Sequence, residues 1–463
     1  MRRIKLLAAT ALILLATSAF AQNTDIESLS GLQFNFGNPG ARSLGMGGAF
    51  LGLADDASAA EANPAGLTIL RKPEISIEGR NYQEAQILTT SGTFPDIQRT
   101  AFKHYSQRAD ITFGSVVIPV KNFTFGVYYH EPLRNEGSGA VVPQRNEFTG
   151  AVESDVPTFY LPRGGTPVSL AQCRDIIIKA NDPTACAGFS ILPFLTAVDV
   201  QQRTFGLAGA WKIGNFSIGA TARYHTFRES SFTYRLNDQF EFDSISVQAT
   251  AKLRSDGQLD IKEQHDVTFT GGVKWAPTDR FSIGAVYKKG PTFEAPTFQA
   301  TDVNTLAFEQ QSNTTFHIPD VYGAGVSFRP IPVLTINADA VHVTYSNLVD
   351  RFISISERLR GLDKAYQAKD VTELHLGGEY FFSTKIPFAI RAGYWRDPAH
   401  SIEFRGPLDN SDAVANAILY PKGQSQNHVS IGGGLAWPRF QIDFAYDTAK
   451  NYKVGSISAV TRF

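Results

Sequence analysis

Hydrophobic and polar residues alternate along short stretches of this chain, and the stretches come in pairs. Phe123, Phe125, Val127 and Tyr129 are interleaved with Thr124, Gly126, Tyr128 and His130. Phe216, Ile218, Ala220, Ala222 and Tyr224 are interleaved with Ser217, Gly219, Thr221, Arg223 and His225. Phe281, Ile283, Ala285 and Tyr287 oppose Ser282, Gly284, Val286 and Lys288, and Phe440, Ile442, Phe444 and Tyr446 oppose Gln441, Asp443, Ala445 and Asp447. Successive strand residues point to opposite faces, so a period of two predicts strands with one apolar and one mixed face. In these four strands every charge falls on the second face.

The pairs have a common form: about ten residues, a Pro- or Gly-bearing turn, and about ten more, the length that crosses a bilayer at a tilt. They occur at Ile111–His130, Thr204–Tyr224, Val267–Lys288, Tyr322–Thr344, Leu374–Trp395 and Val429–Asp447. One further strand precedes them (Glu74–Tyr82) and one follows (Lys453–Phe463), so six hairpins and two end strands predict 14 strands. Turns within hairpins are short and connections between them long, as in outer-membrane barrels with tight periplasmic turns and long external loops. An even count leaves both ends in the periplasm. A charge on the lipid face at mid-bilayer costs about 2–4 kcal/mol, so the charge-free face is assigned to lipid and the other to the lumen. A soluble sandwich would also alternate, but it accounts neither for the turn asymmetry nor for aromatic residues recurring at strand ends.

Composition agrees with many strands: 34 Phe, 16 Tyr and 39 Gly against 2 Cys and 2 Met. The N-terminus adds a compartment. Arg2, Arg3 and Lys5 precede an apolar stretch from Leu6 to Ala16 and an Ala19-Phe20-Ala21 cleavage site, the order of a secretory signal over residues 1–21. Beyond it no run of about 18 apolar residues appears, so helical spans are not expected. Losing Arg2, Arg3 and Lys5 takes 43 basic residues to 40 against 44 acids, a mature charge of about −4. No basic face suggests nucleic acid as a partner.

Residues 22–72 do not alternate and carry Gly40-Ala41-Arg42-Ser43-Leu44-Gly45-Met46-Gly47-Gly48-Ala49-Phe50. The run lacks the spacing of a phosphate loop. Small residues allow close backbone packing, which suits a hatch folded inside a narrow barrel. Ala54-Asp55-Asp56-Ala57, Asn63-Pro64-Ala65, Ile318-Pro319-Asp320, Leu376-Gly377-Gly378-Glu379-Tyr380 and Arg391-Ala392-Gly393-Tyr394 together resemble the FadL/TodX family of outer-membrane transporters for long-chain fatty acids and other hydrophobic compounds. The resemblance spans nearly the whole mature chain. It implies an all-β fold: a monomeric 14-stranded antiparallel transmembrane β-barrel over 73–463 with an N-terminal hatch or plug in the lumen. It also implies capture by external loops, binding in the lumen and release sideways into the membrane. Family members open the wall at an inward kink in an early strand. The candidate third strand, Asn122–Glu131, contains no Pro, so the sequence does not locate that kink. The Gly40–Phe50 run also resembles barrels of the type IX secretion system, which makes a non-transporting secretion component the alternative.

Candidate site residues follow from these assignments. Phe34, Phe36, Met46, Phe50 and Leu53 of the hatch either line an apolar site or pack the plug. The longest loop, about 132–198, ends in Phe189, Ile191, Leu192, Phe194 and Leu195, apolar for an external segment. Those residues either pack the loop on itself or form a capture groove. Cys173 and Cys186, 13 residues apart in an oxidising compartment, are expected to form a disulfide. Arg223, Lys274, Lys288 and Arg391 face the lumen and either pair with Asp339, Asp443 or Glu379 or hold a carboxylate head group. No catalytic, metal or cofactor motif is present. The expected partners are outer-membrane lipids, a hydrophobic small molecule, and the barrel-assembly machinery that reads a last strand ending in Phe463.

Overall fold

A computed structural model describes residues 36–88, 102–141, 144–145, 152–153, 158–162, 168, 170–182, 185–190, 194–236, 242–302, 304–349, 365–407, 423, 425–450 and 452–463. The expected signal segment and Phe34 lie outside the described residues. Fourteen strands close into one antiparallel barrel. They are β1 (Glu74–Leu88), β2 (Phe102–Val120), β3 (Phe123–Val141), β4 (Phe194–Ile213), β5 (Phe216–Leu236), β6 (Gln264–Thr278) and β7 (Phe281–Lys288). The ring continues with β8 (Val321–Ile331), β9 (Leu334–Val343), β10 (Val371–Phe382), β11 (Phe388–Asp397), β12 (Gln426–Ala436), β13 (Phe440–Thr448) and β14 (Tyr452–Arg462). Each strand pairs with its neighbours in this order, and β1 closes the ring on β14 from Glu74–Arg462 to Glu84–Tyr452. All six hairpins read from the alternation are present, as are both end strands.

The two faces divide as the alternation requires. Phe125 is 53% and Val127 51% exposed on the outside, while Thr124 and Tyr128 on either side of them are 2% and 4% exposed. The outward face carries an aromatic row at each edge. Beside the short turns Phe123 stacks on Trp211, Phe216 on Trp275 and Phe382 on Phe388. Toward the long loops Tyr129 meets Phe205, and Tyr287 meets Phe269 and Tyr322. Phe123 and Tyr129 are six residues apart on β3, about 20 Å along a strand, close to the height of an outer-membrane apolar band. At the tightest hairpins the first turn residue is left-handed, Lys121 at φ 55° and Gly214 at φ 61°, which suits a two-residue connection between twisted strands.

Three strands, Phe242–Ala249, Thr292–Ala300 and Glu309–His317, continue the sheet from the long-loop half of β5. The wall therefore rises beyond the band, and β3 and β4 are longer than ten-residue crossings. The connection between them shortens to 142–193. β3 also contains Pro132, past the point where the sequence reading ends the strand. A register shift between His130 and Leu133 accommodates it, since Pro lacks the N–H a ladder needs.

Those two residues mark a break in the wall. The β2–β3 ladder runs from Val120–Phe123 to Phe113–His130 and ends there among the described residues. Past that rung β2 continues to Phe102 against β1, and β3 continues to Val141 against β4. The two strands part at Pro132, leaving a seam.

Candidate functional site

Residues 36–72 fold inside the barrel as short turns of helix: α1 (Ala41–Gly45), α2 (Ala59–Ala62) and a 3-10 turn over Pro64–Ile69. The Asn63-Pro64-Ala65 motif begins that turn. Asn63 Oδ1 accepts from the Ala65 N–H at 3.2 Å, while its Nδ2 donates to the Leu51 carbonyl and to Val273 on β6. Pro64 stands at the first helical position, where its missing N–H costs nothing. One side chain thus caps the turn, ties two parts of the hatch and anchors both to the wall.

The wall makes room with glycine. A Cβ at Gly272 would overlap Asn63, one at Gly377 the Met46 carbonyl, and one at Gly393 the backbone of Gly47. Two of the family-like motifs, at Leu376–Tyr380 and Arg391–Tyr394, are therefore contact points for the hatch. Polar wall residues meet its remaining backbone groups, as burial demands. Ser115 donates to Ala57 at 3.1 Å, Ser282 to Gly52 at 2.8 Å, and Asp339 accepts from Phe50 and Leu51 at 2.6 and 2.7 Å.

Toward the short turns an ion-pair network locks the hatch. Arg42 contacts Asp55 at 2.5 Å and Glu379 of β10 at 2.9 Å; Arg391 contacts Glu379 at 2.7 Å and Asp443 at 2.8 Å; Arg329 reaches Asp55 at 3.3 Å. Breaking a buried pair from one side costs about 3–5 kcal/mol, so these pairs hold this end of the hatch in place. Arg391 is thereby paired with two of the acids expected for it, though along the wall rather than across the lumen: Glu379 is its direct partner on the neighbouring strand. Lys274 instead donates to the Leu53 carbonyl of the hatch.

A second cluster lies toward the long loops. His130, Arg223 and Lys288 each stand eight residues beyond their short turn and converge on Glu61 of α2. Glu61 Oε1 is 3.0 Å from Lys288, 3.6 Å from Arg223 and 3.8 Å from His130, and its Oε2 accepts from the Tyr128 hydroxyl. Glu61, Tyr128, His130 and Arg42 are absent from the residues singled out in the sequence. Glu61 had a signal: it is the one charge in the small-residue run Ala57–Ala62.

Above this cluster are two small cavities sharing Phe36, Lys288 and Val321, about 30 and 20 Å³. Each has room for a water rather than a substrate. Beyond them Leu133, Phe227, Phe293, Val343, Tyr345 and Phe404 pack with others into an apolar cluster that Phe36 joins. On the outer face, a groove of about 540 Å³ runs from Gly114 and Val116 across Val127, Phe205 and Leu207 to Val267, ending beside the seam.

The remaining expected site residues fall in several places. Met46, Phe50 and Leu53 are buried between hatch and wall rather than around either cavity. Leu195 is exposed on β4. Phe194 begins that strand and Phe189 lies in the strand Cys186–Ser190, while Ile191 and Leu192 lie outside the described residues. Cys173, on a helix over Leu170–Ala180, is joined to Cys186 by an S–S bond of 2.03 Å.

Comparison with known proteins gives this architecture a family. The model of the family described as outer membrane protein transport protein (OMPP1/FadL/TodX) matches residues 194–455. No curated protein matches the chain. Among solved structures, a Pseudomonas aeruginosa FadL homologue is 15% identical over 93% of this chain and 99% of its own, with a TM-score of 0.58. The Ralstonia pickettii toluene transporter TbuX is 13% identical over 93% and 98%, TM-score 0.54, and the P. putida toluene transporter TodX 12% identical over 93% and 99%, TM-score 0.53. With the family model covering more than half its length, this chain belongs to the OMPP1/FadL/TodX family of outer-membrane transport proteins.

Proposed function

We propose that this barrel takes up hydrophobic compounds passively, by capture at the external loops, passage through the lumen and lateral release into the membrane. Long-chain fatty acids and hydrocarbons suit it equally, and the toluene transporters among its structural relatives lend weight to the second. The chain is exported by a signal over residues 1–21, assembled through the strand that ends at Phe463, and works as a monomer without cofactor or catalysis. An apolar solute gains roughly 0.8 kcal/mol for each CH₂ it buries, so a route that never returns it to water is favoured at every step.

The observation that carries this reading is the seam. The inner cavity that Glu61 borders reaches His130 and Pro132, and the outer groove reaches Tyr129 and Gly114. The gap between β2 and β3 starts between them: among the described residues that ladder makes no pair past Phe113–His130. Thr112 and Glu131 would form the next rung in the register of Phe113–His130. Cysteines at both positions, once oxidised, should close that rung. Cells bearing the T112C/E131C barrel are expected to take up radiolabelled oleate or toluene slowly when oxidised and at the native rate after reduction, with the native barrel in reductant as control. Unchanged uptake in the oxidised barrel would refute lateral release at the seam. Uptake of neither compound above that of cells lacking the barrel would refute transport of these classes.

A further inference from the structure

The break in the β2–β3 ladder coincides with the place where the hatch grips the wall. Phe113 and His130 form the last rung, with both side chains inside. The Phe113 ring stacks on Tyr128 at 6.0 Å and 28° and meets His130 edge-on at 6.2 Å. The Tyr128 ring in turn lies against Gly206 of β4, where any Cβ would overlap it, and its hydroxyl donates to Glu61. Glu61 is 3% exposed and is held from the far side by Lys288 of β7 and Arg223 of β5. A single carboxylate on the hatch thus connects β5 and β7 to the ring cluster on the inner side of the last rung.

We infer that Glu61 and Tyr128 form a latch through which the hatch holds the β2–β3 seam shut. At the seam Glu61 ties the hatch to β3 through this hydrogen bond, with His130 3.8 Å from the same carboxylate. Two physical features make the contact suited to a latch. The hydrogen bond to an ionised acceptor is directional, so a small displacement of α2 breaks it. The Tyr128 ring lies on the bare backbone of Gly206 and stacks on Phe113, so a shift of the ring is passed to the last rung. Movement of the hatch then becomes movement of the seam. Tyr128 is a positioning residue here: it acts on the path by fixing Phe113 and the final rung.

The inference rests on the seam being the exit, and its test separates the two. In Tyr128→Phe the ring stays and the hydroxyl goes, while Glu61 keeps Lys288 and Arg223. Glu61→Gln keeps the size and an acceptor but weakens the grip of the cations. Amide hydrogen exchange is measured on the intact mature barrel in lipid nanodiscs. In Y128F, exchange of Phe113–Val116 and Val127–His130 should accelerate about tenfold, the effect of losing one charge-assisted hydrogen bond from a local opening, with the β9–β10 ladder unaffected. E61Q should accelerate the same amides. Protection at the seam unchanged in both variants overturns the latch, and so does an equal loss of protection around the whole barrel, which marks an ordinary packing residue. Local acceleration with unaltered oleate and toluene uptake supports the latch while counting against the seam as exit.

Discussion

At the scale of single residues, the glycines of the inner wall decide whether the hatch fits. Gly377 illustrates the constraint. It faces inward on β10, and a Cβ there would overlap the Met46 carbonyl oxygen and crowd the Met46 side chain. Those neighbours are backbone and buried core, held in place by Arg42 and Glu379 one turn away, so they have little freedom to retreat. Gly377→Ala should therefore destabilise the folded barrel by about 1–3 kcal/mol, the usual cost of overpacking a filled interior. Urea unfolding in detergent, followed by the loss of the fast-migrating folded band, measures it. A midpoint equal to that of the native chain would mean that the hatch yields more easily than these contacts imply. Gly378, whose added Cβ meets only the Thr335 carbonyl at 3.8 Å, is the matched control. Alternation placed Gly377 on the lumen face with Glu379, but nothing in the sequence set Met46 against it. Both glycines sit in one motif, and only the strand's facing tells which of them touches the hatch.

At the scale of elements, the barrel was readable because a period of two is a local property and the membrane enforces it. Charge on the lipid face is costly wherever it occurs, so four strands sufficed to assign the faces. Strand ends were not readable, since the pattern loses its cause where the wall leaves the membrane. The three strands that extend β5, Phe242–Ala249, Thr292–Ala300 and Glu309–His317, are mixed sequences with no lipid to order them. Pro132 was read as a terminus although a bulge carries β3 past it to Val141. The site was half legible for a similar reason. Facing placed Arg223 and Lys288 in the lumen, but their common partner is Glu61, in a segment without periodicity. The long loop adds an element-scale prediction. Cys173 lies on the loop helix and Cys186 opens the strand beside it, closing a 13-residue separation. A link over that span contributes roughly 3 kcal/mol by the chain-entropy estimate. Alkylation of the denatured protein should add mass at both cysteines only after reduction. Two alkyl groups on unreduced protein would sink the assignment.

At the scale of the whole molecule, the lumen is a charged interior that its own plug enters and pairs with. The inner wall carries Arg223, Lys274, Lys288, Asp339, Glu379, Arg391 and Asp443, and the hatch supplies partners to most of them through Glu61, Arg42, the Leu53 carbonyl and the Phe50 and Leu51 amides. Fourteen strands enclose more space than the eight whose side chains fill a barrel and less than the sixteen or so of an open porin. Side chains alone do not fill such a lumen, and the two cavities described beside the hatch each have room for no more than a water. Removal of residues 22–72 behind the native export signal should therefore leave a barrel whose wall charges recruit water in place of the hatch. Such a barrel should conduct ions in a planar bilayer, with conductance at least tenfold above that of the intact chain, because a hydrated path replaces a packed one. Folding is checked by the heat-modifiable shift on gels and by strand content in circular dichroism. A truncated barrel that folds yet passes no current would show that the external apolar cluster around Phe227, Phe293 and Tyr345 seals the lumen without the hatch. In that event closure belongs to the loops, and the contact between Glu61 and the wall governs the seam alone.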